Sequence, residues 1–199
     1  MKKSIIILIV FAVVMGFFAI KPYNNMVDLD VEADGSWSEV ETQYERRFAL
    51  IDNLVKTVKA SADFEKSTLV EVTEARASAF KAMQGSNGGR DLSQVNKADS
   101  KLNMAVGGMR GMLMGYAEKY PDLKSTQAFR DLMVQLEGTE NRIAKARGDF
   151  NEDVKVYNKV VMKFPNNMTA GVFGFGERDY FEATDGSENA PDVGETFGN

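Results

Sequence analysis

Glu140 and Arg147 fall where the three-and-four-residue rhythm of an otherwise apolar seam, through Leu136, Ile143 and Phe150, would point side chains into a core. Arg46 and Arg47 interrupt a similar rhythm between Tyr44 and Ile51. A carboxylate among guanidinium groups can serve as a structural ion pair, as a ligand or partner site, or in acid–base catalysis. The first reading is favoured. A carboxylate buried alone costs several kcal/mol, so a partner is expected, and a paired layer can fix register between long helices whose apolar faces could slide. The spacing predicts a polar layer of Arg46, Arg47, Glu140 and Arg147, centred on an interhelical pair between Arg47 and Glu140.

Composition narrows the other two readings. The 199 residues contain no His and no Cys. That removes imidazole as base, ligand or switch, and thiolate as nucleophile or metal ligand. A di-iron bundle built on Glu-x-x-His and a Ser–His–Asp hydrolase are both excluded. Carboxylate, lysine or tyrosine chemistry would remain, but no cluster outside the layer offers it. No catalytic residue, cofactor site or metal site is assigned, and a non-enzymatic protein is expected. The balance of 24 Lys+Arg against 29 Asp+Glu, net −5, argues against nucleic-acid binding, which needs a basic face.

The elements that must position the layer are helical. Trp37, Val40, Tyr44, Phe48, Ile51, Leu54 or Val55, Val58 and Ala62 form one stripe; Leu69, Val72, Ala75, Ala79 and Met83 form a second. Gly85 to Gly89 breaks the chain, and Asp91 with Gln94 can cap a third helix. Its seam runs Leu92, Val95, Leu102, Val106, Met109, Leu113, Tyr116 and Tyr120, with Asp99 filling the gap. Gly107, Gly111 and Gly115 share a face, where they predict a close helix approach. Pro121 ends this helix, and a fourth runs from near Ser125 to Phe164, before Pro165. Four stripes with short links predict an antiparallel up-and-down four-helix bundle.

Ahead of the bundle lies an apolar run from Ile5 to Ile20, flanked by Lys2, Lys3 and Lys21. It is short against the ~20 residues of a spanning helix, but no small-residue cleavage signal follows, and the lysines can snorkel. A single-pass transmembrane anchor over residues 1–22 is expected rather than a cleaved signal. A joint at 23–36, marked by Gly35, leads to the bundle over 37–183, and residues 184–199 read as a disordered acidic tail. The basic residues cluster before the run, which predicts a cytoplasmic N-terminus and a bundle outside the cytoplasm. Up-and-down topology brings the segment after Phe164 back toward the membrane. Its Phe173, Phe175, Tyr180 and Phe181 are expected either to plug the bundle end or to touch lipid or a membrane partner. Gly171, Gly174 and Gly176 follow a helix, not a strand, so a phosphate loop is excluded.

The stretches "RRFALIDNLVKTVK", "TLVEVTEARASA", "YPDLKSTQAF", "LEGTENRIAKARGDFN" and "FPNNMTAGVFGFGERDYFEA" resemble the LemA family of bacterial membrane proteins. The likeness covers about residues 1 to 183. It implies an all-α protein with an N-terminal transmembrane helix and a four-helix bundle in the bacterial cytoplasmic membrane, with no established enzymatic activity. Asp52 stands where the family pattern usually has proline. The resemblance also implies an N-terminus outside the cell, which the charge bias here opposes. The expected function is an envelope-organising scaffold or interaction protein, touching lipid through its N-terminal helix and either a membrane-protein partner or a second copy. The alternative is an adaptor or signal-input module acting through a membrane partner.

Overall fold

The apolar rhythms become helices. The computed structural model describes residues 2–60, 66–115 and 127–182, with side chains at 2–4, 8, 11–15, 17, 18, 60, 113–115 and 128 outside the description. The helices are α1 (Lys2–Ala60), α2 (Lys66–Gln84), α3 (Ser93–Gly115), α4 (Gln127–Met162) and α5 (Asn166–Phe173). No strand occurs among the described residues. The expected acidic tail at 184–199 lies outside them, as do Tyr116, Tyr120 and Pro121.

Cross-helix contacts give the topology. Arg76 on α2 pairs with Asp52 at 2.7 Å, while Phe80, one turn further on, packs edge-on against Phe48, one turn earlier in α1, so α1 and α2 run antiparallel. Thr68 near the start of α2 meets Met112 near the end of α3. Arg147 and Glu137 on α4 meet Asp99 and Arg110 on α3, again in antiparallel order. Trp37 packs on Phe150, and Met26 clusters with Tyr157 and Val161, which closes the ring between α1 and α4. The result is an antiparallel up-and-down four-helix bundle. Its core holds the expected stripes, from Trp37, Val40, Tyr44 and Ile51 on α1 to Leu136, Ile143, Phe150 and Val154 on α4.

α1 differs from expectation in being unbroken. Its 59 residues span roughly 90 Å at 1.5 Å per residue and continue through Pro22 and Gly35. Residues 23–36 are therefore helical, and they are packed rather than a joint: Met26 and Ala33 are fully buried. Gly35 is tolerated because it is exposed, with nothing near it. No helix among the described residues is long and apolar enough to cross a membrane. The run from Ile5 to Ile20 includes eight positions whose side chains lie outside the description.

The glycine-rich face of α3 also differs. A Cβ at Gly107, Gly108 or Gly111 would meet nothing within 4 Å, so no described residue approaches closely there; the surroundings of Gly115 lie outside the description. The glycine that matters for packing is in the α2–α3 turn. Asn87, Gly88 and Gly89 all have positive φ (52°, 66° and 75°), a run that favours Gly and Asn. The turn closes through Arg90 N–H to the Ser86 carbonyl at 3.0 Å and lays Gly89 against the Trp37 ring. Asp91 accepts from the backbone N–H and hydroxyl of Ser93 as α3 begins.

α4 ends before Pro165, as expected, but a further short helix follows. α5 ends at Gly174, whose left-handed φ of 78° lets the Phe175 N–H reach the Ala170 carbonyl at 3.0 Å. Residues 175–182 then run without regular structure back along the bundle.

Candidate functional site: buried ionic layers and a C-terminal strap

Midway along the bundle a polar layer crosses three helices, and its hub is Asp99 of α3. Oδ1 accepts from the Tyr44 hydroxyl at 2.8 Å and from Arg47 Nη1 at 3.5 Å. Oδ2 accepts from Asn103 at 2.9 Å and pairs with Arg147 at 2.6 Å. Arg47 also donates to Asn103 Oδ1 at 2.7 Å, and Arg147 donates to the Tyr44 oxygen. The Arg147 guanidinium lies over the Phe181 ring, 4.8 Å from its centre. Arg47 and Asp99 are almost fully buried, and both Asp99 oxygens are saturated with donors.

The residues expected in this layer divide. Arg47 and Arg147 belong to it. Arg46 is exposed and takes no part. Glu140 lies 3.7 Å from Arg47, but its side chain is 45% exposed, so it sits at the rim and not in the core. The inward residue is Thr139, fully buried with its hydroxyl donating to the Leu136 carbonyl. A three-and-four rhythm from Leu136 to Ile143 can step through either 139 or 140, and the small β-branched side chain took the inner position.

Burial, and then the Asp99 carboxylate, push the Tyr44 phenol well above its ordinary value. In the unfolded chain Tyr44 would ionise near pH ~10, while in the fold it keeps its proton. The unfolded state then binds fewer protons, so stability present below pH ~10 is lost as pH rises, with a slope of up to about 1.4 kcal/mol per unit. Tyr44→Phe should remove this component. Urea midpoints from pH ~8 to ~11 should fall less steeply in the variant than in the parent; parallel profiles would show that Tyr44 ionises normally.

A second ionic layer lies nearer the apolar run. Arg178, almost fully buried, donates from Nε to Asp30 at 3.0 Å and from Nη2 to the Asp30 carbonyl at 3.0 Å and Asp34 at 2.7 Å. Arg90 of the α2–α3 turn shares both acids, at 2.9 and 3.2 Å. Two asparagines seven residues apart on α4 hold the chain that carries Arg178. The Asn158 side chain donates to the Arg178 carbonyl and accepts its N–H, both at 2.9 Å. Asn151 does the same for Phe181 at 3.0 and 2.9 Å. Asp179 accepts from the Leu92 N–H at 3.2 Å. The strap over 175–182 thereby joins α1, α3 and α4.

The aromatic residues of this segment divide, and for Phe181 the expected lipid or partner contact is corrected. Phe181 is a core residue, stacked on Trp37 and edge-on to Phe150, because the strap turns inward between α1 and α4. Tyr180 is partly exposed, with its oxygen 3.2 Å from Asn158 Nδ2. Phe175 is half-buried and Phe173 is 54% exposed; both rings contact Tyr23 edge-on.

An open groove of about 870 Å³ has Asp99 and Arg147 among its walls, between α2 and α3. Its lining carries Lys81, Lys97, Lys101 and Arg147 against Asp91, Asp99 and Glu182. Among the described residues no three His, Cys, Asp or Glu side chains converge as metal ligands. Within each layer opposite charges pair across elements and tie helices together.

Fold and layers together define a four-helix bundle on an N-terminally extended first helix, fastened by ionic crossings. The chain belongs to the LemA family, whose profile matches residues 36–194. It is 30% identical over 175 residues to magnetosome proteins MamQ 1 and MamQ 2 of Paramagnetospirillum magneticum (strain AMB-1). It is likewise 30% identical over 174 residues to magnetosome protein MamQ of Magnetospirillum gryphiswaldense (strain MSR-1). Each alignment covers 80% of this chain and 64% of the relative, so the chain spans under two thirds of these relatives' length.

Proposed function

We propose that this chain is a single-pass, membrane-anchored, non-enzymatic scaffold or interaction protein, with its bundle outside the cytoplasm. The observation that carries this reading is the continuity of α1. One helix bears the apolar run Ile5–Ile20 at one end and the bundle's first seam at the other. Ile5, Ile6, Ile7, Ile9, Val10 and Ile20 are each more than half exposed, a face that water would not favour and lipid would. The non-enzymatic part draws support from the Asp99 layer, whose carboxylate oxygens are each taken up by neighbouring side chains. The lysines before the run favour an inward N-terminus. The relatives are magnetosome proteins by name; we extend to this chain only that it works within an assembled structure.

An unbroken α1 equally supports a second reading, an adaptor that passes movement between a membrane partner and the bundle. Both readings require the anchor. The full-length chain should stay with membranes through alkaline carbonate washing, and Val10→Glu should release a large part of it. Complete extraction of the parent by carbonate would remove the anchor and both readings with it.

A further inference from the structure

The end of the bundle nearest the apolar run carries an unusual surface. Phe164, Met168 and Val172 follow one another at four-residue steps through the turn and α5, and are 74%, 61% and 79% exposed. Phe173, beside them, rests its ring edge-on against Tyr23, 4.9 Å between centres. α5 contains no charged residue, and its Ala170 faces inward against Met26, Tyr157 and Val161. The helix therefore has one face fastened to the bundle and one apolar face open. Lys21 and Lys163 stand exposed at its margins.

Position along α1 decides what covers that face. Tyr23, which holds Phe173, is three residues past Ile20, an axial rise of roughly 5 Å beyond the end of the apolar run. With Ile5–Ile20 in the hydrocarbon core, that rise falls within the headgroup region, which adds roughly 5–8 Å per leaflet. A short uncharged helix with aromatic and aliphatic side chains outward and basic residues beside it matches the chemistry of the membrane interface.

We propose that α5 and the preceding turn form an interfacial foot: Phe164, Met168, Val172 and Phe173 sit at the headgroup–acyl boundary of the bilayer that holds α1. This rests on the anchor reading given above. The foot and α1 make two separate contacts with one leaflet, and the strap of residues 175–182 joins the foot to the ionic layers above it. The tilt of the bundle over the membrane is then fixed rather than free.

The absence of cysteine makes the test direct. Met168→Cys, Val172→Cys and Ala77→Cys, each made in the full chain, alter exposed positions and carry a nitroxide. Ala77 lies on α2, roughly 40 Å from the end of the apolar run, because α2 meets α1 near Phe48. The proteins are reconstituted in vesicles of phosphatidylcholine with a minority of phosphatidylglycerol. Collisions with oxygen and with a water-soluble nickel chelate are then measured. The foot predicts oxygen access several-fold above chelate access at 168 and 172, and the reverse at 77. Chelate access at 168 and 172 equal to that at 77, in protein that floats with vesicles, overturns the foot and leaves the anchor standing. Shielding from both reagents identifies a protein contact and also overturns it. Protein that fails to float overturns anchor and foot together.

Discussion

Asp99→Ala should cost about 3–5 kcal/mol of folding stability, because it strands two arginines in the bundle interior. Arg47 would keep its bond to the Asn103 side-chain oxygen and the rim contact with Glu140, and Arg147 would keep the Tyr44 hydroxyl and the Phe181 ring. Of these only Glu140 is charged, and at 3.7 Å on the exposed rim it does not replace a buried carboxylate. The single tryptophan, Trp37, is buried one layer away, so its emission during urea unfolding reports the change. In a double-mutant cycle with Arg47→Met the two costs should be far from additive. Glu140→Gln is the contrast: with its carboxylate 45% exposed, it should cost under about 1 kcal/mol. Small, additive effects at Asp99 and Arg47 would mean that the layer does not hold the helices.

Gly89→Ala should be comparably severe for a different reason. At φ +75°, a Cβ is in the left-handed region, which costs about 1–2 kcal/mol. It would also stand 2.6 Å from Trp37 Cε3 and 3.0 Å from Phe150 Cζ, ring atoms of a packed core, and overpacking adds about 1–3 kcal/mol. The expected total is roughly 2–5 kcal/mol, with altered Trp37 emission in the folded state. Gly88→Ala supplies the control. Its φ is +66°, and its nearest contact is the Arg90 guanidinium at 3.0 Å, a partly exposed ion-paired group that can shift and not a packed ring, so mainly the backbone component should appear. Equal losses in the two variants would refute the packing argument at Gly89.

The helices were legible because their seams repeat at three and four residues, and the bundle because four such seams are joined by short links. Arg47 and Arg147 were legible as interruptions of those seams. Their true hub was visible as well, since Asp99 fills a gap in the third seam; what a seam does not state is which gaps face each other. Thr139 and Glu140 are equally compatible with the rhythm, and only packing separates them. The second layer was harder still. Asp30 and Arg178 lie 148 positions apart, and in the sequence Asp30 and Asp34 read as charges following an apolar run. The strap left one faint local signal, Asn151 and Asn158 seven residues apart beside Phe150 and Tyr157. Their partners are backbone groups of residues 178 and 181, which no side-chain pattern marks. The joint expected at Gly35 failed because an exposed glycine weakens a helix without ending one that is packed on its other side.

A bundle that acts, as proposed, by holding neighbours at the membrane must touch them through its own surface. The bundle's own surface offers places to look: Met104 on α3 is 68% exposed and Val134 on α4 is 70% exposed, well away from the foot. The most direct measurement places a photo-crosslinking amino acid at Met104, Val134 and Ala77 of the full chain in native membranes and identifies what is captured. Discrete crosslinked species, either a second copy of this chain or one membrane protein, are expected from some of these positions and not others. Uncrosslinked monomer at every position, in protein that is membrane-bound and folded, would contradict it.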